Sequence, residues 1–131
     1  QLNRTDGIKV DVDVDGTIVP LPAHVELCLY RVAEESLQNV ARHAGVRAAR
    51  LSLIARTGHL DIRISDDGRG FDLTKGRPSG GIGLLSIEER LRVIGGRLEI
   101  LTHPGAGVTV IGRVPLPAPE TPPLKALNSA N

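Results

Sequence analysis

Glu35, Asn39 and Arg42 stand at i, i+4 and i+7, so on a helix they share one strip that presents a carboxylate, an amide and a guanidinium in a row. The Asn39 amide supplies a neutral oxygen suited to Mg²⁺, a hard cation that keeps several waters and is often held between one or two protein oxygens and nucleotide phosphates. Glu35, one turn earlier, could hydrogen-bond that amide or polarise a metal-bound water, while Arg42 and His43 could reach phosphate oxygens from the same side. A second group is the turn Asp66-Asp-Gly-Arg-Gly70, in which an acid is followed by Gly68 and Gly70. Two glycines let the backbone approach a flat ligand, and an ionised carboxylate accepts from an exocyclic amine such as that of adenine. A third, Gly80-Gly-Ile-Gly83, directly precedes a helical pattern that opens at Leu84, so the unpaired N–H groups of that first turn could face a phosphate. No Lys-Ser or Lys-Thr follows these glycines, which excludes a Walker A loop, and no βαβ unit surrounds them, which excludes a dinucleotide fingerprint. His24, His59 and His103 have no ligand-like spacing and are assigned to turns or the surface.

The elements that must position these groups follow from periodicity. Ile8, Val10, Val12 and Val14 alternate with Lys9, Asp11 and Asp13, the signature of a half-buried strand. Asp11 to Gly16 also imitates the opening of a calcium loop, but the twelfth position, which needs a bidentate Glu, is Pro22. Asp15-Gly16 is read as a turn and Thr17 to Leu21 as a short return strand. From Pro22 to about His43, Leu29, Val32, Ala33, Ser36, Leu37 and Val40 fall on one side of a helix that stops near Gly45. Ala48 to Ala55 and Leu60 to Ser65 alternate as two strands joined by Thr57-Gly58-His59. Phe71 to Gly83 has no periodicity and is expected to be a lid. Leu84 to Ile94 returns to helical spacing before Gly95-Gly96, and Arg97 to Thr102 and Val108 to Val114 make a last pair of strands. The pattern is α+β: residues 1–115 as one domain, then a Pro-rich tail at 116–131 expected to lack order.

With 131 residues the chain is long enough for one domain that buries about two-thirds of its unfolded surface. A net charge of +1 exerts no global pull toward nucleic acid or anionic membrane, and Tyr30 and Phe71, the only aromatics, offer no stacking platform for single strands. The lone Cys28 excludes disulfides and cysteine-rich zinc sites within one chain, and a buried, inert thiol is expected. No run approaches the roughly 18 apolar residues needed to span a bilayer. The start at Gln1 suggests a piece of something longer, with any anchor or sensor elsewhere.

Taken in order, Glu35-Ser-Leu-Gln-Asn39, Asp66-Asp-Gly-Arg-Gly70 and Gly81-Ile-Gly83 resemble the N, G1 and G2 boxes of the GHKL ATPases. Leu29 to Ala44 and Gly81 to Arg90 resemble more closely the ATP-binding catalytic domain of bacterial two-component sensor histidine kinases of the nitrate-sensor class. The resemblance runs from about Gly7 to Pro115. It implies a two-layer α/β sandwich of the Bergerat type, a mixed sheet with helices on one face, and ATP held between the N-box helix and a lid. By the same analogy Asn39 binds Mg²⁺, Glu35 supports that site as a second catalytic residue, and Asp66 accepts from the adenine amine. Gly68, Gly70, Gly81, Gly83 and Leu84 line the nucleotide, and Arg42 and His43 face phosphate.

The chain departs from that pattern in two places. The Thr usually found after a Gly before the last strand is Val108 here, with Thr109 one residue later. The upstream helical segment with the phospho-accepting histidine is missing, and none of the four histidines lies in such a context. The implied activity is therefore donation of the γ-phosphoryl group of Mg-ATP to a histidine on a separate dimerisation domain of the same parent protein, with a response regulator downstream. This places the domain in the cytoplasm, monomeric in isolation, without direct membrane contact and without nucleic acid, whether or not the parent is membrane-anchored. A GHKL serine kinase of the anti-sigma-factor type and a catalytically silent docking module are the alternatives.

Overall fold

The computed structural model describes residues 4–5, 7–70, 72 and 84–116. The expected lid with Gly81 and Gly83, and the tail from residue 117 onward, lie outside the described residues. Among the described residues six strands form one mixed sheet. They are β1 (Arg4–Thr5), β2 (Ile8–Asp15), β3 (Ala48–Arg56), β4 (His59–Asp66), β5 (Arg97–Thr102) and β6 (Val108–Pro115), in the spatial order β1-β2-β3-β4-β6-β5. The β2–β3 pair is parallel and every other pair antiparallel.

Register puts the apolar residues of successive strands on one face. Val10 sits opposite Ala49, Leu51 opposite Ile64, and Ile64 opposite Val110. That face is covered by α1 (Ala23–Asn39), lying against β4, and α2 (Leu84–Val93), lying against β5 and β6, with the two helices also packed on each other. The core lies between the layers: Val32, Leu37, Ile87 and Leu91 from the helices against Ile8, Leu60, Ile64 and Val114 from the sheet. The opposite face is polar, and Asp61 and Arg113, opposite each other on β4 and β6, form a two-pronged ion pair of 2.9 and 3.0 Å.

The α1 stripe runs as its periodicity requires, with Leu29, Val32, Ala33, Ser36, Leu37 and Val40 all buried. The carbonyl of Pro22 accepts from Val25 and Glu26 N–H and so closes the first turn. Two expectations are corrected. Residues 17–22 form no return strand: a parallel β2–β3 pair requires a crossover, and this segment is the first leg of it into α1. Pro20 and Pro22 have no N–H to give to a ladder. Nor is β2 half-buried along its length, because the helical layer covers Ile8 and Val10 but leaves Val12 and Val14 about half exposed. Leu116 N–H donates to Gly58 O at 2.9 Å, which ties the residue after β6 to the β3–β4 turn. No helix among the described residues is long and apolar enough to cross a membrane.

Candidate functional site

The helix that carries Asn39 does not end as an α-helix. After Asn39 it widens into one π-helical turn, Val40–Ala44, and stops at Gly45 in the left-handed conformation, φ 78°. Wide turns of this kind re-aim side chains and recur at functional sites. Here the turn carries Arg42 and His43, and the Ala44 carbonyl at its end accepts from Arg69 N–H at 2.9 Å. That bond ties the end of the helix to the loop that follows β4.

The loop is held close by its glycines. A Cβ on Gly68 would collide with the carbonyl oxygen of Ala44, so only glycine lets the loop lie against the π-turn. Gly70 has φ 62°, and a Cβ there would collide with the carbonyl oxygen of His103 in the β5–β6 connection. Asp66 ends β4 with its side chain turned back over the loop, where Oδ1 accepts from Gly68 N–H at 2.7 Å and Val108 N–H also bonds the carboxylate. Burial nevertheless dominates and pushes the Asp66 carboxyl up from the usual carboxylate value, against those two bonds.

Between the π-turn, the loop and the neighbouring ends of β4 and β6 lies a cleft of about 240 Å³. Asn39, Arg42 and His43 line it from the helix side, Asp66 and Gly70 from the loop, and Leu84 from the start of α2. Ile64, Val108 and Val110 contribute an apolar wall from the sheet. Val108 faces the cleft and Thr109 the opposite side of the sheet, as strand alternation requires. The hydroxyl of the neighbouring Thr102 donates instead to Gly107 O at 2.6 Å. Of the expected site residues within the described region, the structure thus brings six to one cavity. Gly68 stands behind it, holding Asp66.

Glu35 is not part of the cleft wall. Its Oε1 accepts from Arg90 Nε at 2.7 Å and from Ser86 Oγ at 3.0 Å, so the carboxylate joins α1 to α2. The reason is the helix–helix contact: α2 crosses α1 on the side where Glu35 projects and supplies two donors closer than any cleft group shown to reach it. Cys28, lower on the same seam, donates to Arg90 O at 3.2 Å, and partial burial raises its thiol pKa. Sequence reasoning overlooked Arg69 and Ser36, both of which line the cleft. Arg69 was legible as the cation between Gly68 and Gly70, and its guanidinium lies over Gly45, with Nη2 3.2 Å from where a Cβ would stand. Ser36 shares the helical phase of the core positions of α1, which hides it among them in the sequence.

The donor set fits a nucleotide. Asp66 offers a fixed acceptor beside an apolar wall suited to a flat base, and Arg42, Arg69 and His43 add donors suited to phosphate oxygens. A magnesium ion fits only together with those phosphates. Among the described residues no group of three or more His, Cys, Asp or Glu could cage a metal, and Asn39 provides a single neutral oxygen.

A helical layer on a mixed sheet, with a cleft closed by an N-box helix and an acidic glycine turn, defines an ATPase-type nucleotide fold, and comparison with known proteins agrees. Residues 24–118 match the model of the histidine kinase-, DNA gyrase B-, and HSP90-like ATPases, and the chain belongs to that family. It is 34% identical over 114 residues to the signal transduction histidine-protein kinase/phosphatase DegS of Brevibacillus brevis, covering 87% of this chain and 29% of DegS. It is 36% identical over 111 residues to the sensor histidine kinase MctS of Rhizobium johnstonii, covering 83% of this chain and 24% of MctS. The chain therefore spans less than a third of either relative. Among solved structures, the Acinetobacter baumannii histidine kinase AdeS superposes with a TM-score of 0.68 at 15% identity, covering 84% of this chain and 55% of that one. This supports the fold.

Proposed function

We propose that this domain binds Mg-ATP in the cleft and presents its γ-phosphoryl group to a histidine on a separate dimerisation domain of the same parent protein, for onward transfer to a response regulator in the cytoplasm. The observation that carries the reading is the convergence of Asn39, Arg42, Asp66 and Arg69 on one cavity with an apolar wall. Asp66 accepts from the adenine amine, Asn39 supplies the protein oxygen for magnesium, and Arg42, Arg69 and His43 bind phosphate oxygens. Gly70 and Leu84, with Gly81 and Gly83 of the connection before α2, border the nucleotide. The metal supplies charge neutralisation at the phosphates; the chain's own residues orient the nucleotide and balance its charge, which is how phosphoryl transfer is accelerated without a covalent intermediate on the catalytic domain. Glu35 contributes from outside the cleft by fixing α2 against α1. Direct action on a metal-bound water would require it to leave Arg90.

Calorimetry with a non-hydrolysable ATP analogue tests the reading. Asn39→Ala is expected to weaken binding about tenfold in magnesium and little in EDTA, since a metal-mediated contact is lost only when the metal is present. Equal binding of wild type and Asn39→Ala in magnesium would sink the assignment. Radiolabelled ATP mixed with this chain and a histidine-bearing dimerisation domain is expected to yield acid-labile label on the latter and none on this chain; acid-stable label would indicate serine instead.

A further inference from the structure

Ser36 is 2% exposed, and its hydroxyl is the one buried side-chain polar atom among the described residues that has no hydrogen-bond partner. A buried hydroxyl without a partner costs stability, and native structures rarely tolerate one without a function. Serines inside helices ordinarily bond the carbonyl four residues back, and this one does not. It is one of the residues that line the cleft, together with Ile64, Asp66 and Val110, and stands one residue after Glu35 and three before Asn39. The sheet wall is short of polar groups at this level. Val108 offers only methyl groups to the cleft, and the adjacent Thr102 hydroxyl is committed to Gly107 O. Asp66, an acceptor when ionised, can read only a donor on the ligand.

We infer that Ser36 is a specificity-determining residue for the base, its hydroxyl bonding a ring nitrogen of the purine directly or through one water while Asp66 takes the exocyclic amine. The inference rests on the nucleotide reading and deepens it: the hydrogen bond that Val108 cannot make from the sheet is supplied from the opposite wall by α1. A hydroxyl both donates and accepts, so Ser36 complements a ring acceptor that a carboxylate would repel.

The experiment is a cycle on the folded chain with ADP, 1-deaza-ADP and 7-deaza-ADP, each titrated calorimetrically into wild type and Ser36→Ala. Ser36→Ala should weaken ADP binding about five- to tenfold while leaving the melting temperature of the unliganded protein unchanged or higher, because an orphaned polar group has been removed. One of the two deaza analogues should bind wild type weaker than ADP by a similar factor, yet bind Ser36→Ala no worse than ADP does. Equal ADP affinity in the two proteins, or an additive loss for both analogues, would overturn the Ser36 assignment and leave the nucleotide site standing. Absence of ADP binding by wild type would overturn both.

Discussion

Replacing Asp66 by Asn should move ligand affinity and stability in opposite directions. In the folded protein Gly68 N–H and Val108 N–H both donate to the Asp66 carboxylate, the former at 2.7 Å. An Asn side chain will turn its only acceptor, the carbonyl oxygen, toward those two donors, so its NH₂ group points to the ligand. In the proposed complex the amine of adenine then meets a donor in place of an anion. Losing a hydrogen bond to a charged acceptor costs about 1.5–3 kcal/mol, and leaving a donor unsatisfied adds about 1 kcal/mol or more, so binding should weaken roughly 60- to 1,000-fold. Stability behaves otherwise. Because burial raises the Asp66 carboxyl, the folded state holds its proton to higher pH than the unfolded chain, whose value is about 3.9. Between those two values the folded form binds more protons, so stability falls as pH rises through the window, and the deficit persists at neutral pH. Asp66→Asn does not titrate there. It should melt at or above the wild-type temperature at pH 7 and lack that slope on the acid side. Calorimetric titration with an ATP analogue and thermal melts from about pH 3.5 to about pH 7 measure both quantities. A variant that binds within about threefold of wild type, or melts well below it at neutral pH, would refute the geometry assigned to Asp66.

Asp61, on the opposite face of β4, should show the reverse linkage. The hydrogen bonds from Arg113 hold its carboxyl below the usual carboxylate value, so its stabilisation is present above the unfolded value of about 3.9 and is lost as pH falls through the lower folded value. Asp61→Asn should therefore be destabilised at pH 7, with the gap to wild type closing on acidification; a gap independent of pH would contradict the pairing. The Glu35–Arg90 bridge, about 2.7 Å long with Arg90 42% and Glu35 20% exposed, is screened by solvent and should be worth no more than about 1 kcal/mol. Glu35→Gln and Arg90→Ala should each cost about that much by denaturant unfolding, and the double variant no more than the worse single one. Additive losses would mean that the two side chains do not act as a pair.

Much of the architecture was legible because it depends on local patterns. The helical stripe from Leu29 to Val40, the alternation on β3, β4, β5 and β6, and the stop at Gly45 each follow from a period or a cap within a few residues. The acid-and-glycine turn at Asp66 to Gly70 was readable for the same reason, since close backbone approach requires glycine wherever the partner lies.

Tertiary structure decided what depends on residues far apart in the chain. Whether residues 17–22 return beside β2 or cross to α1 depends on β3, whose Lys9–Ala48 register makes the pair parallel. The fate of the Glu35 carboxylate was set 55 residues away, where Arg90 meets it across the helix seam, and a strip drawn on one helix cannot show that. Ser36 has the same helical phase as the core leucines, yet it lines the cleft that Asp66 and Val108 also line. Periodicity specifies which side of an element is inward. It does not specify whether that inward space is filled by the protein or left for a ligand.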